Sequence, residues 1–350
     1  MRGGWRLALA GLAGSLPVVA SAAADPSPAP EGPSFDCAAA RTDVETAICA
    51  DRQAATADRR MAATYQATLA AAPAAFGPAL RETQRSFLDY LAVLCRRPDG
   101  IDADCLRYAM DARSIDLRDR AVRRDGESRR LVQLITYAAL PYRPPARRRA
   151  DANDYAAPQR LVILDQIGEP ATEAERHWNQ LAREKLAAFV AGHAFTASDA
   201  GVKQYSLRIA VTAPGFIEAG LSSRGDPHLG VDEPWHWLLA ADRPLRPDDL
   251  FDNPAKAFDA IARLVRADML ISAAENPDEK PVPSLARTRR AVANLANWVI
   301  GQGELPITVD GQPFTAHGAT LNWSQLGPLL RRDPAFDPTR LSSPSEPVAR

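Results

Sequence analysis

Residues 35–65 read "FDCAAARTDVETAICADRQAATADRRMAATY", and they place two of the chain's four cysteines in one alanine-rich, helix-forming run. Thr42-Asp43-Val44-Glu45 is a capping box: the Thr42 hydroxyl can accept from the Glu45 amide while the Glu45 carboxylate reaches back. The helix it starts would carry Val44, Ala47 and Ile48 on one face and end at Cys49, with Cys37 before it in extended chain. Such a helix is shorter than the roughly 12 residues an isolated helix needs. A Cys37–Cys49 bridge would staple it, and closing a loop of that size contributes about 3 kcal/mol. Spacing alone leaves three pairings of the four cysteines open.

Working outward, a second helix is expected from about Ala54, with Met61, Tyr65 and Leu69 four apart. A third runs from about Pro78 to Cys95 with Leu80, Phe87, Leu91 and Leu94 at helical spacing. "RRPDGIDAD" (96–104) is a loop, and a fourth helix from Asp104 and Cys105 carries Leu106, Ala109, Met110 and Leu117. Cys95 and Cys105 face each other across that loop and are well placed to bridge it. Residues 35–125 are therefore expected to form an all-α, disulfide-stapled bundle.

The N-terminal stretch fits an oxidising setting. Arg2 and Arg6 precede an apolar run from Leu7 to Val19 and the small residues Ala22–Ala24, the pattern of a signal peptide over 1–24, with 25–34 as a linker. The run is too short and too broken by glycine and Pro17 for a membrane span. A periplasmic or secreted protein with two disulfides is the expectation. From Asp25 onward the chain holds 40 Lys+Arg against 43 Asp+Glu, neither a polybasic field for nucleic acid nor an acidic tail. That length allows two domains with their own cores.

Beyond the Pro/Arg-rich "PYRPPARRRADAND" (141–154), where Arg147–Arg149 read as a solvated loop, the periodicity changes. "QRLVILDQI" (159–167), "KQYSLRIAVTAP" (203–214), "GFIEAGLSS" (215–223) and "WHWLLAADRPL" (235–245) read as strands. Helices are expected over Glu173–Ala191, with Trp178, Leu181, Leu186 and Phe189 on one side, and over Asn253–Ala273, with Phe258, Ile261, Leu264, Val265 and Met269. "NWVIGQGELPITV" (297–309) suggests a hairpin through Gly301-Gln302-Gly303, and "TLNWSQLGPLLRR" (320–332) a strand entering a short helix. Without a βαβ rhythm, residues 131–333 are expected to be an α+β domain with a mainly antiparallel sheet, followed by a disordered tail over 334–350. The whole chain is α+β.

Catalytic and metal chemistry finds little support. His228, Asp232 and His236 could converge on a helical face, but Gly230 and Pro234 interrupt it, and in a strand His236 would point with Leu238, away from Trp235 and Trp237. His177 is expected on a helix surface; His193 and His317 stand alone. Glu218 with Asp248-Asp249 could supply glycosidase carboxylates, yet carboxylates at such separations are commonplace. "GLSSRG" fails the nucleophile-elbow spacing, and no phosphate-cradling glycine loop occurs. The expectation is a non-enzymatic binding protein without metal or cofactor.

Two resemblances give that expectation an object. "FDCAAARTDVETAIC", "DRRMAATY", "LRETQRSFLDYLAVLC" and "CLRYAMDARSIDL" are similar, in order and spacing, to the N-terminal domain family of LprI-type lysozyme inhibitors. The resemblance includes all four cysteines and implies a secreted helical domain that binds and blocks lysozyme. The chain departs where the family has a Trp and then an Arg-Asp pair, carrying Phe87, Leu91 and Ala92. It also departs in charge, since residues 35–125 hold 14 arginines and 14 acids, no acidic field to steer a cationic partner. "GDPHLGVDEPWHWLLAADRPLRPDDLF" and "NWVIGQGELPITVDGQPFTAHGATLNWSQLGPLL" resemble the extracytoplasmic lysozyme-receptor domain of RsiV-type anti-sigma factors, with Asp226-Pro227 replacing a small pair before the histidine. Lysozyme, or another cell-wall hydrolase, is the expected partner, bound by steric occlusion of its cleft. The alternative is an envelope-maintenance or signalling protein that binds peptidoglycan or a membrane partner. Neither resemblance marks contact residues.

Overall fold

A computed structural model describes residues 32–124, 130–139, 159–193, 202–213, 215–224, 231–275, 281–300, 304–310, 317–332 and 338. The signal peptide, most of the linker, Arg147–Arg149, His228, the 301–303 turn and all but one residue of the 334–350 tail lie outside them.

Four helices open the described chain: α1 (Asp43–Ala50), α2 (Arg52–Ala71), α3 (Gly77–Leu94) and α4 (Ala103–Asp119). Each start has a local cause. Glu45 N donates to Thr42 Oγ1 at 3.1 Å and Thr42 N to Glu45 Oε2 at 2.9 Å, so the capping box closes. Backbone donors from Arg41 and Thr42 hold the Glu45 carboxyl below the usual carboxylate range. Asp51 caps α2 through Ala54 N at 2.7 Å and Asp102 caps α4 through Cys105 N at 3.1 Å. Pro78 sits in the first turn of α3, where its missing amide costs nothing. The loop between α3 and α4 is a two-residue ladder, β1 (Arg96–Arg97) against β2 (Gly100–Ile101), turned at Gly100 with φ +139°.

Seven strands form the main sheet: β3 (Val122–Arg124), β4 (Arg130–Ala139), β5 (Gln159–Ile167), β6 (Val202–Ala213), β7 (Phe216–Arg224), β8 (Val231–Leu238) and β9 (Arg243–Pro244), neighbours in chain order. The expected mainly antiparallel sheet is corrected to a mixed one, because β5 and β6 run parallel, with Leu161 beside Gln204 and Leu164 beside Leu207. The cause is α5 (Glu173–Gly192), a crossover between them; parallel neighbours need a connection of a dozen residues or more. One βαβ unit is thus present where none was read. β3 and β4 were not read as strands either.

Alternation along the strands divides the apolar residues between clusters. Ile217, Leu221 and Trp237 pack under α5 with its buried Trp178, Ala182, Leu186 and Phe189. Phe216 and Leu238, one residue away, join a cluster with α7 (Pro254–Glu275), α8 (Leu285–Val292) and the hairpin of β10 (Glu304–Asp310) and β11 (His317–Asn322). The short helices α6 (Pro247–Leu250) and α9 (Trp323–Leu326) add Leu250, Trp323 and Leu326 to it. The third cluster joins helices to sheet: Ile48, Met61, Phe87, Leu91, Leu106, Met110 and Leu117 pack with Ile135, Tyr137 and Ile163. Phe87 meets Tyr137 edge-on at 5.1 Å.

Polar ties fix the sheet. Asp165, fully buried, accepts from Arg123 Nη2 at 2.5 Å, Gln133 Nε2 at 2.8 Å and Ile209 N at 2.9 Å, joining four strands at the β6 bulge. Asn179 of α5 acts as a strand residue would: Oδ1 accepts from Ile167 N and Nδ2 donates to Ile167 O, both at 2.8 Å.

Candidate binding surface

The helical module is cross-linked twice. Cys37 is bonded to Cys49 with Cα atoms 5.8 Å apart, and Cys95 to Cys105 at 5.4 Å. The first bond ties the chain before α1 to its last turn. The second ties the end of α3 to the first turn of α4. Both restrict helix ends that would otherwise fray.

Three turns of helix after these bonds form the most distinctive exposed feature. Arg52, Gln53, Thr56 and Arg60 of α2 and Arg107 and Asp111 of α4 line an open groove of about 470 Å³. Every lining side chain is polar. Arg60 Nη2 donates to Asp111 Oδ1 at 2.6 Å across the groove, and Arg107 Nη2 donates to Asp104 Oδ1 at 3.0 Å along α4. The Arg107 guanidinium carbon lies 4.3 Å from the centre of the Tyr108 ring, which is 65 % exposed. The Thr56 hydroxyl donates to Arg52 O at 2.9 Å, leaving its lone pairs toward solvent. Neither Arg107 nor Tyr108 was singled out from the sequence. The available signal is that Tyr108 falls off the apolar stripe of Leu106, Ala109, Met110 and Leu117.

Two of the positions at which the chain departs from the LprI pattern are internal. Phe87 is 2 % exposed and Leu91 fully buried, while Ala92 is half-buried. Phe87 lies 5.7 Å from the guanidinium carbon of Arg113, itself buried, whose Nε donates to Gln84 Oε1 at 3.1 Å and Nη2 to Thr83 Oγ1 at 3.3 Å. Burial pushes the nearby Tyr137 hydroxyl up to about 12 and the Tyr90 hydroxyl up as well. These side chains build the core beneath the surface.

Among the described residues, several of those weighed for chemistry are engaged in structural contacts. His236 is buried beside Phe216, with Nε2 3.4 Å from Glu218 Oε2. That oxygen accepts from Ile300 N at 2.6 Å, so Glu218 pins the segment before β10 to the sheet. Asp249 is engaged by Arg243 at 2.6 and 2.7 Å and by Arg246 N at 2.7 Å, and the Arg243 guanidinium, above all, holds its carboxyl low. A carboxyl held ionised this way cannot serve as a general acid near neutrality. His177 is half-exposed with Nδ1 2.8 Å from Asp242, and His193 Nδ1 lies 2.9 Å from Phe189 O. Among the described residues no group of three or more His, Cys, Asp or Glu could hold a metal ion, and no helix is long and apolar enough to cross a membrane.

Residues 37–117 match the family model described as Lysozyme inhibitor LprI, which takes in less than a quarter of the chain and both disulfides. No curated protein matches the chain. Among solved structures, the chain is similar to a DUF3298 family protein from Pseudomonas aeruginosa PAO1 at 9 % identity and TM-score 0.39, covering 58 % of this chain and 94 % of that one. It is also similar to a member of the same family from Bacteroides fragilis NCTC 9343 at 11 % identity and TM-score 0.34, covering 60 % and 96 %.

Proposed function

We propose that this protein binds lysozyme, or a related cell-wall hydrolase, outside the cytosol and inhibits it by covering the glycan-binding cleft. The observation that carries the reading is the match of residues 37–117 to the lysozyme-inhibitor family model, a stretch in which all four cysteines are bonded. Of the three departures, Phe87 and Leu91 lie in the core, out of a partner's reach, and only Ala92 is half-buried. Disulfides and a signal-like N-terminus support a periplasmic or secreted site of action. The resemblance of the C-terminal half to the extracytoplasmic part of RsiV-type anti-sigma factors adds a second line toward the same partner.

The mechanism is non-covalent. A folded surface held by two cross-links loses little conformational entropy on docking, and steric exclusion of a glycan requires no group transfer and no cofactor. Calorimetric titration of the oxidised protein into lysozyme is expected to give a 1:1 complex, with little of the protein retained on insoluble peptidoglycan. Retention on peptidoglycan without binding to the hydrolase would establish the envelope-binding alternative instead.

A further inference from the structure

The groove between α2 and α4 has a chemistry that says what it meets. It presents the guanidinium groups of Arg52, Arg60 and Arg107, and beside it stands Tyr108, the most exposed large apolar side chain among the described residues. Resting on the inhibitor reading above, we propose that the Arg107–Tyr108 pair and the adjoining groove are the docking surface, and that their guanidinium groups pair with the carboxylates in the hydrolase's cleft.

Charge complementarity selects that occupant. Most glycosidases cleave with two carboxyl groups flanking the scissile bond. A protein that covers such a cleft therefore meets acids at its floor, even when the hydrolase is basic overall. The neutral balance of residues 35–125 gives no long-range pull on a cationic partner, so the match to those acids is local, made by Arg52, Arg60 and Arg107 at the groove. Arginine suits the task, because its planar fork addresses a carboxylate with two parallel hydrogen bonds.

The surroundings hold the array ready. Asp111 and Asp104 engage one guanidinium nitrogen each of Arg60 and Arg107, directing both side chains. The Cys95–Cys105 bond anchors α4 two residues before Arg107. An exposed tyrosine capped by an arginine is also the composition in which interface energy concentrates. The other exposed large apolar side chains among the described residues are Leu88 on α3, Ile115 on α4, and Leu270 and Ile271 on α7.

The test is a set of inhibition and binding measurements on oxidised full-length variants whose disulfides and melting temperatures match the parent. Arg107→Glu and Tyr108→Ala should each weaken inhibition by about tenfold or more, Arg107→Lys by less than Arg107→Glu, and Ile271→Ala not at all. Replacing the hydrolase's catalytic acid by its amide should shrink the difference between the parent and Arg107→Glu. Hydrogen exchange of the parent, which needs no variant, should slow at residues 103–111 on adding hydrolase. Inhibition by the parent that Arg107→Glu and Tyr108→Ala leave intact, or protection confined to other elements, overturns the surface while leaving the inhibitor reading in place. A parent that binds no hydrolase removes both.

Discussion

Individual side chains show where the molecule concentrates its polar risk. Arg113 is buried among Thr83, Gln84, Phe87 and Tyr137, so Arg113→Ala takes the donor from Gln84 Oε1 and Thr83 Oγ1 as well as opening a cavity. Orphaned neutral acceptors cost about 1–3 kcal/mol and the cavity adds to that, and chemical denaturation of the variant should read a drop of at least about 2 kcal/mol. Asp249 carries a pH signature. Its folded pKa lies below its unfolded value, so the stability it contributes is present above the unfolded pKa, near 3.9, and disappears as pH falls through the folded one. Asp249→Asn should flatten that acid limb of the stability curve, and a limb identical to the parent's would assign it to other carboxyls. At this scale the sequence was only partly readable. The Thr42–Glu45 box and the placing of His236 on the opposite strand face from Trp235 and Trp237 follow from spacing alone. The burial of Arg113 depends on β4, which comes after the helices in the chain and was not recognised.

Elements behave according to what holds their ends. α1 has eight residues, too few to persist alone, and it is tied to the rest by Cys37–Cys49, the packing of Ile48 and the exposed Arg96–Asp43 pair at 3.3 Å. Replacing both cysteines with serine should cost about 3 kcal/mol and release slow-exchanging amides in 43–50 first; unchanged exchange there would show that packing alone suffices. α5 was legible as a helix from Trp178, Leu186 and Phe189, but its role as a crossover was not. Periodicity reports which face of a helix is buried and is silent on whether the strands either side of it run parallel. Asn179→Leu tests the resulting tie, since it removes the side chain that satisfies both backbone groups of Ile167. A loss of roughly 1–3 kcal/mol is expected for the orphaned pair, read by thermal unfolding.

At the scale of the whole molecule, helices and sheet share apolar residues. The cluster that contains Met61, Phe87 and Leu117 is completed by Ile135, Tyr137 and Ile163. A fragment ending at residue 125 should therefore melt well below the full protein and bind a hydrophobic dye, although both disulfides can form within it. The change of periodicity that suggests two modules was visible because helices and strands alternate apolar residues differently. The shared core was not, because β3 has three residues and β4 buries Leu131, Val132 and Gln133 in succession rather than alternating. The proposed function, hydrolase inhibition without turnover, draws on the rigid surface this arrangement supports. Muramidase activity measured against increasing oxidised protein should fall linearly and reach its floor near one equivalent. Undiminished activity at a several-fold molar excess would contradict the account.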